Sequence, residues 1–204
     1  MANIRSKVIQ PFTDQKCVIA CSGGVDSVAL LHFMIGYNEV SIVHINHNPG
    51  NEYDDACEEL VRNLAQKYNV AFDLYRIDTK IESNVEHNWR NFRQKIYRAY
   101  DCNVFLAHTL DDQVEEYLMS SIKGNVRFIP AKRNNLCRPF LHLTKNEVYE
   151  YANKHNLVWI EDPTNFDSSN QRSLCRNEIV PKALKINPGL YKTVLRLSLG
   201  NMVQ

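Results

Sequence analysis

The chain has 204 residues, 44% of them apolar and 23% charged, which suits one sizeable α/β core with room for a small appended subdomain. No apolar run approaches the ~18–20 residues that a membrane helix needs. The segment MANIRSKVIQPFTDQ lacks the continuous apolar stretch of a signal peptide. The expectation is therefore a cytoplasmic protein with no membrane partner. Six cysteines, at positions 17, 21, 57, 102, 137 and 175, are scattered with no C-x-x-C pair, so they read as buried, reduced thiols rather than as zinc or iron–sulfur ligands.

A net charge of +1 hides an asymmetry: residues 1–120 carry a balance of −6 and residues 121–204 a balance of +7. A basic second half suggests a polyanionic partner docking at one end. The plain alternative is a chance excess on a solvated face.

In chain order, the apolar run at 16–20 predicts a strand that ends in a glycine turn. From Asp26 the apolar positions recur at helical spacing. Residues 40–45 read as a second strand, 52–68 as a helix, 70–77 as a third strand and 84–100 as a helix. Residues 103–107 read as a fourth strand and 111–122 as a helix. Four strand–helix alternations predict a parallel sheet covered on both faces, with ligands beyond the carboxyl ends of the strands. After Gly124 the pattern changes. Residues 125–143 look irregular, Thr144 and Glu147 have capping-box spacing for a helix to about His155, and helices are expected at 172–186 and 188–199. The expected division is a nucleotide-binding core over 1–125 and a basic, mostly helical subdomain over 126–204.

Ser22-Gly23-Gly24-Val25-Asp26-Ser27 falls between a predicted strand and helix. Adjacent glycines let the backbone turn sharply, and the helix start offers unpaired N–H groups to an anion. The string is neither the Walker G-x-x-x-x-G-K-[ST] nor the G-x-G-x-x-G dinucleotide fingerprint. Asp112 and Glu115 share a helix face and can hold an ammonium group through charge-assisted hydrogen bonds. Acids in a first helical turn are also ordinary dipole partners. Arg90 and Arg93 share another face and can stabilise a transferring phosphoryl group. Asp26 can reach a phosphate-bound Mg²⁺ or serve merely as the first helical acid.

S-G-G-x-D-S resembles the phosphate loop of the PP-loop ATP pyrophosphatases. Several further stretches, in order, are similar to the tRNA(Ile)-lysidine synthases within that family: His44-Ile45-Asn46-His47; Glu86, Arg90 and Arg93; His108 to Glu115; Arg138-Pro139-Phe140-Leu141; Trp159 to Asn165; and Arg172, Arg176 and Pro181. The resemblance implies ATP bound by residues Ser22 to Ser27 with His44 and His108, and Mg²⁺ through Asp26. It implies catalysis by Asp26, Arg90, Arg93, Asp112 and Glu115. Free L-lysine would bind at Asp112 and Glu115, and a tRNA with a CAU anticodon at Lys132, Arg133, Arg138, Arg172 and Arg176. The implied reaction adenylates the wobble cytidine, releasing pyrophosphate, and then exchanges AMP for lysine. Departures include Asn48-Pro49-Gly50 in place of a G-L-R-like turn, Gln94 in place of a tyrosine, and Arg172-Ser173 in place of an R-N pair. Many bacterial members continue into further tRNA-gripping domains, so the chain is expected to be a compact form. Rival readings are a tRNA thiolase, which commonly carries C-x-x-C pairs, a metabolite synthetase, which needs no basic half, and a non-catalytic nucleotide- or RNA-binding protein.

Overall fold

The computed structural model describes residues 4–9, 16–77, 85–161 and 171–201. Asp162, Pro163, Thr164 and Asn165 of the Trp159–Asn165 string lie outside the described residues, as does the side chain of Glu86. Strands β1 (Cys17–Ala20), β2 (Val40–Asn46), β3 (Ala71–Arg76) and β4 (Asn103–Phe105) alternate with helices α1 (Val25–Ile35), α2 (Glu52–Tyr68), α3 (Val85–Arg98) and α4 (Leu110–Ile122). The expected α/β architecture is therefore present: these four strands pair in parallel, β1 lying between β2 and β4.

Strand residues point alternately to the two faces of a sheet, and both faces are filled here. Cys17, Ile19, Ile42 and Phe105 pack with residues of α1 and α2 on one side. Val18, Val43, Ile45 and Val104 pack with Trp89, Phe92 and Ile96 of α3 on the other. Two covered faces explain why β1 and β2 are near-continuous apolar runs.

Residues 125–143, expected to be irregular, contain a hairpin. Strand β5 (Lys132–Arg133) pairs antiparallel with β6 (Leu136–Cys137), and β6 pairs parallel with β4, giving the order β3-β2-β1-β4-β6-β5. Asn134 makes the turn at φ 55°. Asn135 then anchors it by donating its side-chain amide to the carbonyls of Tyr97, Tyr100 and Cys102. The sheet thus extends past residue 125, and α5 (Lys145–Lys154) packs against α1.

The remaining helices gather on α4. Helix α6 (Gln171–Leu174) runs through a π-helical turn, Cys175–Ile179, into α7 (Val180–Ile186), and α8 (Leu190–Asn201) follows. Val114 of α4 shares a buried cluster with Cys175, Val180, Leu190 and Val194. Among the described residues no helix is long and apolar enough to cross a membrane.

The capping box at the start of α5 is complete: Thr144 accepts from the Glu147 N–H, and Glu147 accepts from the Thr144 N–H at 2.9 Å. Thr144→Ala is expected to cost about 1 kcal/mol and to lower the thermal midpoint by roughly 2–4 °C, measured by thermal denaturation of the nucleotide-free chain.

Candidate functional site

The glycine loop sits at the carboxyl end of β1. Gly23 has φ +92°, and a Cβ built there would lie 3.2 Å from Cβ of Cys57 on α2. Any side chain would meet both a disfavoured backbone angle and a crowded neighbour. Gly24 is the N-cap of α1 and supplies no capping side chain, so the first-turn amides keep their hydrogen-bonding capacity for an anion. Ser27 braces the turn. Its Oγ donates to the Gly24 carbonyl at 2.9 Å and accepts from the Ser22 N–H at 3.1 Å, with Ser22 Oγ at 3.2 Å. The Ile160 N–H donates to the Gly23 carbonyl at 3.0 Å, which ties the Trp159-Ile160 segment to the loop.

From β1 the chain winds outward through β2 and β3, then returns to place β4 on the other side of β1. The strand order reverses at β1 and β4, and the crevice outside the carboxyl ends of the strands at such a reversal is where open α/β sheets bind ligands. The segment from His108 to Asp112 leaves β4 at that crevice. Asp112 closes a capping box on α4, accepting the Thr109 N–H at 2.8 Å and its hydroxyl at 3.1 Å. Burial acts to raise the Asp112 carboxyl, but His108, the Thr109 N–H, Arg172 and Lys145 outweigh it and hold the group below the usual range. Burial pushes the His108 imidazole down, and its Nδ1 has no hydrogen-bond partner. Asp111 acts as a clamp: one oxygen accepts the Lys145 N–H at 2.7 Å and the other the Tyr191 hydroxyl at 2.7 Å.

Asp26 stands in the first turn of α1, its Oδ2 3.6 Å from the Lys145 ammonium and its Oδ1 without a partner. Burial raises its carboxyl to about 6; Lys145 opposes the rise, and the neighbouring Asp112 and Asp111 reinforce it. An unpaired carboxylate oxygen beside an open helix start suits a magnesium-bound phosphate.

Burial disfavours protonation of His44 on β2 and of half-buried His47, the residue that follows the strand. His44 bonds through Nδ1 to the Cys21 carbonyl at 2.8 Å, and burial lowers its imidazole. Arg93 lies 3.3 Å from Nε2 of His47. Because a guanidinium only donates, Nε2 accepts and Nδ1 carries the proton, and that buried Nδ1 has no partner. Burial first, then Arg93 and His44, lower His47 to about 4. Trp89 stacks on its ring at 5.0 Å. Arg93 is thus turned inward, whereas Arg90 lies exposed.

Glu115 is 2% exposed and already shared. Arg176 reaches it at 2.6 Å and Arg172 at 3.2 Å. Arg138 is also buried and donates to the Pro130 carbonyl at 2.9 Å, leaving Nε without a partner. Lys132 and Arg133 are exposed on β5. Lys145 and Asp111 are missing from the residues that the sequence pattern singled out for chemistry. Lys145 is separated from Asp26 by more than half the chain, and nothing local marks their meeting.

A depression of about 490 Å³ at the end of β2 is lined by Gly50, Glu58, Arg62 and Arg76 among others. Its acid is satisfied internally: Arg76 above all, helped by Asn46 and Arg62 against burial, holds Glu58 near 2. The carboxyl ends of the strands instead carry unpaired atoms, among them Asp26 Oδ1, His47 Nδ1 and His108 Nδ1.

Asp26 ties stability to pH. Its folded-state value of about 6 lies above the ordinary 3.8, so the ionised form costs stability above pH 6 and the cost disappears as pH falls below 4. Asp26→Asn is expected to stabilise the nucleotide-free chain by roughly 1–3 kcal/mol at pH 8. The gain should vanish near pH 4, as measured by denaturant unfolding across that range.

Comparison with known proteins agrees with this geometry. A PP-loop domain model matches residues 2–183. The tRNA(Ile)-lysidine synthase of Nitrosomonas europaea is 31% identical over 95% of this chain and 46% of its own length. That of Legionella pneumophila is 34% identical over 89% and 46%. The chain thus spans about half the length of these curated relatives. Among solved structures, a U34-tRNA thiolase from Methanococcus maripaludis, with its [4Fe-4S] cluster, superimposes with a TM-score of 0.79 at 16% identity, over 98% of this chain and 76% of that one. An NH3-dependent NAD synthetase from Campylobacter jejuni gives 0.52 at 15% identity, over 92% and 85%. These two share the fold. With a glycine loop, an uncapped helix start and an unpaired acid meeting at the sheet's reversal point, and with a family match over residues 2–183, the chain belongs to the PP-loop domain family.

Proposed function

We propose that this chain carries the catalytic core of a tRNA(Ile)-lysidine synthase, using ATP and Mg²⁺ to join free lysine to the wobble cytidine of a tRNA with a CAU anticodon. The single observation behind this reading is the set of unsatisfied buried polar atoms at the strand ends, Asp26 Oδ1, His47 Nδ1 and His108 Nδ1. A buried donor or acceptor without a partner costs about 1–3 kcal/mol, and a bound nucleotide and base would relieve that cost. The names of the lysidine synthase relatives support tRNA as the acceptor and lysine as the incoming group.

In this reading the residues from Ser22 to Ser27 seat the pyrophosphate part of ATP, with His44 and His108 beside the nucleotide. Asp26 would hold the metal, which draws charge off the phosphates. The cytidine O2 forms a bond to the α-phosphorus while the bond to the pyrophosphate oxygen breaks. Arg93, fixed against His47, faces the charge that develops, and Arg90 assists from the exposed side of α3. The lysine amine then bonds to C2, AMP leaves, and one proton is released. Asp112 receives the lysine ammonium beside Glu115, for which Arg172 or Arg176 must partly yield. A carboxylate stabilises the ammonium form, so the proton has to leave as the amine attacks, with Asp112 the nearest acceptor. Lys132 and Arg133 contact tRNA phosphates directly, Arg138 supports them from within, and Arg172 and Arg176 complete the basic surface. Phosphate contacts of this kind position RNA without reading its sequence. The place of action is the cytoplasm, where these substrates occur together.

Incubation of the chain with ATP, Mg²⁺, labelled lysine and a CAU-anticodon tRNA is expected to yield lysidine together with AMP, read by mass spectrometry of anticodon nucleosides. Absence of lysine incorporation across a whole tRNA pool overturns the reading, and sulfur incorporation assigns a thiolase instead. Asp112→Asn is expected to reduce lysine incorporation by about 100-fold or more while changing ATP affinity less than threefold, measured by single-turnover kinetics and calorimetry.

A further inference from the structure

We propose that Glu161 is a positioning residue for the phosphate loop: by holding Trp159 and Tyr149 it keeps the Ile160 N–H on the Gly23 carbonyl, and so fixes the direction in which the Gly24 N–H is offered to pyrophosphate. This rests on the reading above only as far as the loop seating pyrophosphate, not on lysine or tRNA.

The peptide between Gly23 and Gly24 is the part of the loop that its own sequence leaves freest. A peptide plane reorients through ψ of the residue before it and φ of the residue after it, and here neither residue has a Cβ to restrict the turn. Ser27 braces the Gly24 carbonyl and the Ser22 N–H, which lie on either side of this peptide, and neither bond touches it. Among the described residues the only hydrogen bond on this peptide comes from the Ile160 N–H to the Gly23 carbonyl, at 3.0 Å. In a trans peptide the carbonyl and the N–H point to opposite sides. Holding the carbonyl on Ile160 therefore also holds the direction of the Gly24 N–H, the amide at the uncapped start of α1.

Ile160 lies outside any helix or strand, so no regular structure holds it in register. Its neighbours do so. One carboxylate oxygen of Glu161 accepts the Trp159 indole N–H at 2.7 Å and the Tyr149 hydroxyl at 3.1 Å, and the second oxygen lies 3.3 Å from the same hydroxyl. The two rings meet edge to face with centroids 5.9 Å apart, and both pack against the buried cluster that includes α1. Tyr149 belongs to α5, which itself packs on α1. Glu161 thus fastens the Trp159–Glu161 strap to the helix pair that carries the loop. Burial first, then Glu161 and Asp26, push the Tyr149 phenol up to about 12, so it remains a donor near neutral pH.

The clamp differs from the other glutamates that hold this fold together. Glu58 and Glu115 are buried and meet arginines, so their charge is matched by a cation. Glu161 is exposed, and its two donors, an indole and a phenol, are both neutral. A single oxygen has two lone pairs to receive them. Its work is therefore geometric rather than electrostatic: it closes a short path from α5 through Trp159 to the one backbone N–H that meets the glycine pair.

Calorimetric titration with inorganic pyrophosphate plus Mg²⁺, and with AMP, tests the proposal. Glu161→Ala is expected to weaken pyrophosphate binding by roughly 5–50-fold, up to the worth of one hydrogen bond to a charged group. AMP affinity should stay within about twofold of the parent chain, and the thermal midpoint within about 2 °C, as for an ordinary surface substitution. Glu161→Gln, whose carbonyl oxygen can accept both donors, should recover most of the loss. Trp159→Phe, which keeps a ring and removes the indole N–H, should also weaken pyrophosphate. Pyrophosphate affinity changed less than about fivefold in Glu161→Ala, unchanged in Trp159→Phe, or lost equally with that for AMP overturns the assignment. Glu161→Gln as weak as Glu161→Ala overturns it too, since the charge and not the clamp would then be at work. A parent chain that binds no pyrophosphate overturns both the assignment and the reading of the loop. A chain that shows the expected pattern yet makes no lysidine sinks the lysidine reading alone.

Discussion

Helix α1 begins without a capping side chain, and the crevice is organised around that open end. An N-cap serine or aspartate would satisfy a first-turn amide locally and be worth a few tenths of a kcal/mol over glycine. Gly24 gives that up. The turn before it is held instead by Ser27 bonding backward to Gly24 and Ser22, and by Cys57 filling the space a side chain at Gly23 would need. Stability is shifted from the helix end to its surroundings, and the amides stay available. The raised carboxyl of Asp26 follows from the same arrangement: burial beside the loop makes it costly to ionise, and Asp112 and Asp111 add to that cost.

The crevice histidines reinforce this division. His44, His47 and His108 are all depressed by burial and stay neutral near pH 7. They therefore contribute shape, ring stacking and directed hydrogen bonds, and leave the fixed charge to Asp26, Asp112, Arg93 and Lys145. Neutral rings beside a bound anion avoid locking it in place.

Much of this was legible in the residues. The strand–helix alternation, the loop string and the Thr144–Glu147 spacing are local patterns with local causes, and each occurs in the structure where the pattern places it. The β5–β6 hairpin was not legible, because two-residue strands carry no periodicity and their pairing depends on Asn135 reaching carbonyls more than 30 residues earlier. The partners of Glu115 and Asp26 were equally hidden. A sequence shows an acid and a base, but only the packing of α4 against α6 and the π turn, or of α1 against α5, brings them together. The basic second half was visible as a charge count, yet part of it is spent inside: Arg138 is buried, and Arg172 and Arg176 neutralise Glu115.

The two oxygens of Asp111 bind the start of α5 and the hydroxyl of Tyr191 on α8. The family match ends at residue 183, before that tyrosine. A fragment trimmed to the matched boundary would keep every loop residue and still lose the hydroxyl that holds the second oxygen of Asp111. Mechanical support as well as motif content therefore bears on where such a fragment can be cut, because α8 braces the acid that holds the start of α5.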